Sequence, residues 1–233
     1  MMREDICSIP VSEVFEPKDG CPLCRLRDVL EERMTDYITG AAMMEPDVRI
    51  DTNQTGFCHR HFQKMLETGS RLSNALLLES HLKRIETEIF LLGQSKTPGK
   101  KQWQQAEELE HSCFVCRQVE WGTLHIVETL YQLWKREEEF RTLYRSQPFF
   151  CLPHAALLMK GAQKQMTRAN TAEFIRVTAE IAGNYLTQVR KDITHFCSMY
   201  DYRNQGGDWG TSKDAIDRAI LYLTSYPVPK KKE

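Results

Sequence analysis

The chain has 233 residues, 41% of them hydrophobic and 27% charged, with a formal net charge of −1 at pH 7. That is enough to bury a core in one large domain or two smaller ones, and the charge balance excludes a global field favouring nucleic acid or an anionic membrane. No run of about 18 apolar residues is present. The acid-containing N-terminus MMREDICSIPVSEVF has no signal-peptide core, so the expectation is a cytoplasmic protein with no membrane partner.

After an N-terminal segment (1–20), the first motif is CPLCR at 21–25, and it returns as CFVCR at 113–117. Downstream of the first comes FCHRH (57–61), and downstream of the second comes FCLPH (150–154). Cys21 and Cys113 are 92 positions apart, as are Cys24 and Cys116; Cys58 and Cys151 are 93 apart, as are His61 and His154. Such a register is the mark of an internal duplication. It predicts two repeats, 21–97 and 98–203, followed by a C-terminal turn, helix and basic tail (204–233).

In the first repeat, Leu26, Val29, Leu30, Met34, Tyr37, Ile38 and Ala41 fall at helical spacing. Pro46 and DTNQTG (51–56) read as turn chemistry ending that region. His61 to Glu67 reads as a short helix. SRLSNALLLESHLKRIETEIFLLG reads as a long amphipathic one, with Leu72, Leu76, Leu82, Ile85, Ile89 and Leu92 on its apolar face. GQSKTPGKK (93–101) is the predicted linker.

In the second repeat the stripe is Trp121, Leu124, Val127, Leu130, Tyr131 and Trp134, and Gln147-Pro148 breaks the chain. A long helix is predicted from about Thr171 to about Tyr200, carrying Phe174, Ile181, Tyr185, Val189, Ile193 and Phe196. After QGGDWG, Thr211 or Ser212 is placed to cap a last helix through Leu223, with Asp214 in a capping box. The predicted class is all-α: two tandem metal-stapled helical repeats plus a short C-terminal helix.

The ligand pattern points to zinc. Cys₃His is a common structural donor set, and two donors separated by two residues can be presented from one tight turn. Cys21, Cys24, Cys58 and His61 are expected to form one site, and Cys113, Cys116, Cys151 and His154 the other. A helix of about 18 residues runs out roughly 27 Å, and about 15 extended residues can return that distance, so each site is expected to close within its own repeat. His59 competes with His61, but it aligns with Leu152 whereas His61 aligns with His154. Two zinc ions are expected, each adding roughly one negative charge to the balance.

An iron–sulfur cluster with mixed Cys/His ligation, a redox dithiol and buried reduced core cysteines are the competing readings. A dithiol enzyme calls for a βαβ neighbourhood that is not found here, and it leaves the CxxH unexplained. Cys7 and Cys197 have no repeat partner. His195 and Cys197 diverge around one helix, His81 reads as a satisfied core histidine, and His111 and His125 as solvent or supporting groups. No phosphate-cradling loop or nucleophile elbow appears, and no catalytic residues are assigned. Enzymatic activity is left open but disfavoured.

CPLCR, MEPDVRIDTNQTGFCHRHF, LLLESHL, CFVC with FCLPH, and DYRNQGGDWGTSKDAIDRAI together resemble an uncharacterised bacterial family of unknown function, over nearly the whole chain. Some of its members are labelled transporter substrate-binding proteins; this sequence has no export signal, lipobox or two-lobed α/β pattern to match that label. The functional expectation is a zinc-binding adaptor with an unknown protein or small-molecule partner. The alternatives are a thiol-based redox or metal-responsive sensor and a zinc-organised nucleic-acid binder, the last disfavoured by charge.

Overall fold

The computed structural model describes residues 9–204 and 206–229, and among these it contains eleven α-helices and no strand. They are α1 (Ile9–Phe15), α2 (Pro22–Thr39), α3 (Pro46–Thr55), α4 (His59–Thr68), α5 (Arg71–Arg84), α6 (Lys100–Glu110), α7 (Phe114–Arg136), α8 (Glu138–Arg145), α9 (Leu152–Gln165), α10 (Arg168–Ser198) and α11 (Ala215–Thr224). The all-α class is as the periodicity predicts. Cys7 and the basic tail Lys230–Lys232 lie outside the described residues.

The chain forms two compact units, one from Met1–Leu26 with Thr123–Glu233 and the other from Arg27–Gly122. The first is built on aromatic packing. Trp134, Tyr144, Phe15, Phe140, Phe150 and Phe174 are fully buried, with ring centroids 5.2 Å apart for Trp134–Tyr144, 4.8 Å for Tyr144–Phe150 and 5.6 Å for Phe15–Phe140. Edge-to-face and offset pairs of this kind add about 0.5–1.5 kcal/mol each beyond area burial. The Tyr144 hydroxyl is satisfied by Thr178 Oγ1 at 2.7 Å, and Gln147 donates to the Phe15 carbonyl at 2.8 Å, tying α1 to the turn before α9. The core of the second unit is smaller and aliphatic: Ile38, Met65, Leu77, Val115 and Val119 close around Phe114 and Cys113.

Several local expectations differ from the structure. Pro46 does not end a helix; it opens α3, where its missing N–H costs nothing, and residues 51–55 of DTNQTG are helical up to Gly56 at φ +58°. The 93–101 linker is shorter than expected, because Gly99 and Gln102 start α6. The last helix begins at Ala215 with Asp214 at its N-cap and no side-chain cap bond. Asp214 instead accepts from Arg218 Nε at 2.9 Å, and Thr211 donates to Asp192 at 3.0 Å. Trp121, Leu72, Leu82 and Leu92 from the predicted apolar stripes are exposed.

Gly161 lies where α9 meets Tyr131: a Cβ there would overlap the Tyr131 hydroxyl, which donates to Leu158 O at 2.8 Å. Gly161→Ala is expected to destabilise the protein by about 1–3 kcal/mol through overpacking. Gly183→Ala, in the interior of α10 with nothing within 4 Å, is expected to stabilise it by about 0.4–1 kcal/mol. Urea denaturation of the two variants checks the opposite signs.

Candidate metal centres

All eight matched donors lie in the first turn of a helix or just before it. Cys58 and Cys151 are the extended N-caps of α4 and α9 (ψ 162° and 158°), with no side-chain cap bond, so their thiols are free for other partners. Cys21 and Cys113 immediately precede α2 and α7. The Cys21 carbonyl accepts from the Cys24 and Arg25 amides at 3.1 and 3.2 Å, and the Cys58 carbonyl from His61 N at 3.0 Å. With a helical turn already under way, residues three apart share one face. That is why C-x-x-C and C-x-x-H present two donors together.

The sets that form are not those expected within each repeat. Cys21 and Cys24 meet Cys151 and His154, and Cys58 and His61 meet Cys113 and Cys116; in each set the donor atoms lie within 4.8 Å of one another. Local closure is therefore overturned: the sets are nested along the chain, an outer one and an inner one. The outer set belongs to the first compact unit and the inner set to the second. Contacts that owe nothing to a metal hold the inner pairing. Phe114 N donates to Gly56 O at 2.9 Å, Ser112 Oγ to Thr55 O at 2.6 Å, and Arg117 pairs with Asp51 at 2.5 Å.

The dimensions suit one ion per set. Tetrahedral coordination with metal–sulfur bonds of about 2.3 Å and metal–nitrogen bonds of about 2.0–2.1 Å puts sulfurs about 3.8 Å apart and sulfur about 3.5 Å from nitrogen. In the outer set Cys24 Sγ is 3.7 Å from Cys151 Sγ, and His154 Nδ1 is 3.5, 3.4 and 3.1 Å from the sulfurs of Cys21, Cys24 and Cys151. In the inner set Cys58 Sγ is 3.9 Å from Cys116 Sγ, and His61 Nδ1 is 3.2, 3.2 and 3.4 Å from Cys58, Cys113 and Cys116. These sulfur separations are far beyond a disulfide bond. In an iron–sulfur cluster the four protein donors are divided among two or more irons and cannot all share one shell; here all four atoms of each set lie within 4.8 Å of one another, the spacing of a single ion's shell.

The electrostatics ask for a cation. Burial opposes ionisation of Cys21, but hydrogen bonds with Cys151, Cys24 and His154 hold its thiol well below the ordinary value. Hydrogen bonds with Cys151 and Cys21 then push Cys24 up, and Cys151 is raised to about 12, chiefly by its hydrogen bond with Cys21. In the inner set, burial raises Cys113 but the bond to His61 overrides it and brings the thiol to about 6; burial and the Cys113 charge push Cys116 up. One thiol in each set ionises readily, and Cys24 and Cys151 in the outer set and Cys116 in the inner one resist joining it. A divalent cation at the centre removes that repulsion.

The chain belongs to DUF6062, a family of unknown function, whose match covers residues 2–230. No curated protein and no solved structure matches it.

In this DUF6062 chain the histidine of the inner set has a carboxylate behind it. His61 is 1% exposed, and its Nε2 faces Glu31 Oε1 at 3.6 Å, a charge contact longer than a hydrogen bond. Glu31 is itself buried, paired with Arg60 and 3.8 Å from Lys64 Nζ. Burial opposes its charge, but His61, Arg60 and Lys64 together hold the carboxyl below its ordinary value. A carboxylate behind a ligating histidine fixes the ring's tautomer and orientation and raises its basicity.

The sequence reading missed Glu31. Its signal was a charged residue in register with Cys24, Thr35 and Ile38, on the side of α2 that is buried. His59 is exposed and outside both sets, as are His111, His125, His195 and Cys197. His81 is half-buried and donates from Nδ1 to Asn53 O at 3.0 Å, and burial lowers its pKa.

Glu31→Gln is expected to weaken one of two bound ions by roughly 10–100-fold and leave the other unchanged. Glu32→Gln, exposed one position on, should change neither; competition with a metallochromic chelator measures both.

Proposed function

We propose that this protein is a zinc-binding module in which each Cys₃His set holds one structural ion, and that the folded surface so organised serves as an adaptor for a protein or small-molecule partner. The observation that carries the reading is the nested pairing. Each set joins two helix starts distant in sequence, the inner pair already held by backbone and side-chain contacts, and uses all four tetrahedral positions on protein donors. A fully occupied set leaves no position for water or substrate, which favours a structural over a catalytic ion. Zinc is the ion that best suits three thiolates and an imidazole without redox chemistry.

A structural role also makes energetic sense. Cys58 and Cys116 are 58 residues apart and Cys24 and Cys151 are 127 apart, and closing loops of these lengths is worth roughly 4 and roughly 5 kcal/mol in the chain-entropy description. All seven described cysteines are free, which fits a reducing compartment. Among the described residues no helix is long and apolar enough to cross a membrane.

For a partner, a groove of about 390 Å³ runs beside Cys58, lined by Phe57, Ile85, Ile89, Phe90 and Leu109 and edged by His81. It offers apolar area to a small molecule or a short peptide. A polyanion is a poor candidate for a chain of net charge −1 that becomes more negative when loaded.

Elemental analysis of the purified protein is expected to give about two zinc per chain, with a colourless solution. Iron with visible absorption contradicts the zinc assignment, and no metal contradicts the module. Acidification should release the ions, because protons compete for thiolate and imidazole. Metal-dependent stability is therefore present at neutral pH and lost as pH falls, which thermal melts across a pH series would record.

A further inference from the structure

The two sets differ in what covers them. In the outer set Cys21, Cys24 and Cys151 are all buried, and the Cys24–Cys151 edge is sealed from solvent. Helix α11 lies against it: Tyr222 is buried beside Cys151, and the Ser225 carbonyl stands 3.6 Å from Cys24 Sγ. In the inner set Cys113 and His61 are buried, but Cys58 is half-buried and Cys116 is exposed, and their shared edge, 3.9 Å long, faces solvent. Cys58 also lines the open groove formed by Phe57, Ile85, Ile89, Phe90 and Leu109. Behind the metal position, Glu31 with Arg60 and Lys64 backs His61, so the histidine side is closed and the thiolate side is open.

Resting on the reading of both sets as single-ion sites, we infer that they divide the work: the outer ion is permanent, and the inner site is a metal-exchange site whose face is the Cys58–Cys116 edge. Ligand exchange at a four-coordinate ion begins with an incoming donor reaching the metal or one of its thiolates, so access decides the rate. Buried thiolates are inert and accessible ones react. The class of ligand that the open edge takes is a thiophilic metal ion or a chelating donor, with the adjoining groove able to seat the apolar body of a small chelator. While exchange proceeds, Cys113 and His61 retain their buried supports, so the inner unit keeps half of its donor set in place.

Two measurements on the two-zinc protein test this. Zinc release into excess 4-(2-pyridylazo)resorcinol should be biphasic with equal amplitudes, the first ion leaving about tenfold or more faster than the second. In parallel, brief N-ethylmaleimide treatment followed by peptide mapping should label Cys58 and Cys116 as the first ion is lost, with Cys21, Cys24 and Cys151 protected. Cys197, exposed and outside both sets, labels regardless and serves as the internal standard. Release of both ions in one phase, or labelling of the outer cysteines as early as Cys58 and Cys116, overturns the inference while leaving the two-site reading intact. Fewer than two ions in the starting protein overturns both.

Discussion

The constraint on which the rest depends is that donor atoms of four separate helix starts must converge in two groups, each small enough for one ion. A helix start is suited to this because its first turn fixes residues three apart on one side and its unpaired N–H groups favour a nearby thiolate. The convergence sets much of the topology. Helices α2 and α9 must begin side by side, and so must α4 and α7, although 127 and 55 residues separate the donors concerned. The proposed ions then act as clamps on pairings that packing has already chosen. Phe15, Tyr144 and Phe150 stack beside the outer set, and Phe57 and Phe114 meet edge to face beside the inner one.

The sequence made the donors legible and hid their partners. Matching offsets single out Cys21, Cys24, Cys58 and His61 and their counterparts, and alignment of His61 with His154 picks the histidine that the structure places in the cluster over the exposed His59. Offsets say which positions correspond; they do not say which positions touch. A loop of 34 residues can close on a metal, and so can one of 127, because each doubling of a flexible loop costs only about 0.6 kcal/mol. Loop length therefore cannot decide between local and nested closure. That decision belongs to contacts such as Phe114 N to Gly56 O and Gln147 to Phe15 O, which no periodicity reveals.

The same distinction runs through the fold. The long helices α7 and α10 were legible because their apolar stripes extend over many turns, whereas α3 and α6 were obscured by residues that read as breakers. Pro46 and Gly99 stand at helix starts, where they are tolerated, rather than at helix ends. Glu31 was hidden for the opposite reason: it resembles an ordinary solvated charge until His61, Arg60 and Lys64 are placed around it. Its burial in an otherwise helical core position gives the inner set a supporting carboxylate. The outer set, by contrast, is covered by α11, so two sites with the same donors differ in their surroundings and in their access to solvent.

Metal counts on double variants distinguish nested pairing from closure within each repeat. Cys24→Ala/Cys151→Ala removes two donors from the outer set alone, and Cys24→Ala/Cys58→Ala removes one donor from each set. With nested pairing the first variant, after dialysis against a weak chelator, keeps one zinc and the second keeps none. The reverse, with the second keeping one and the first none, would mean that each repeat closes on its own ion and would contradict the arrangement described here.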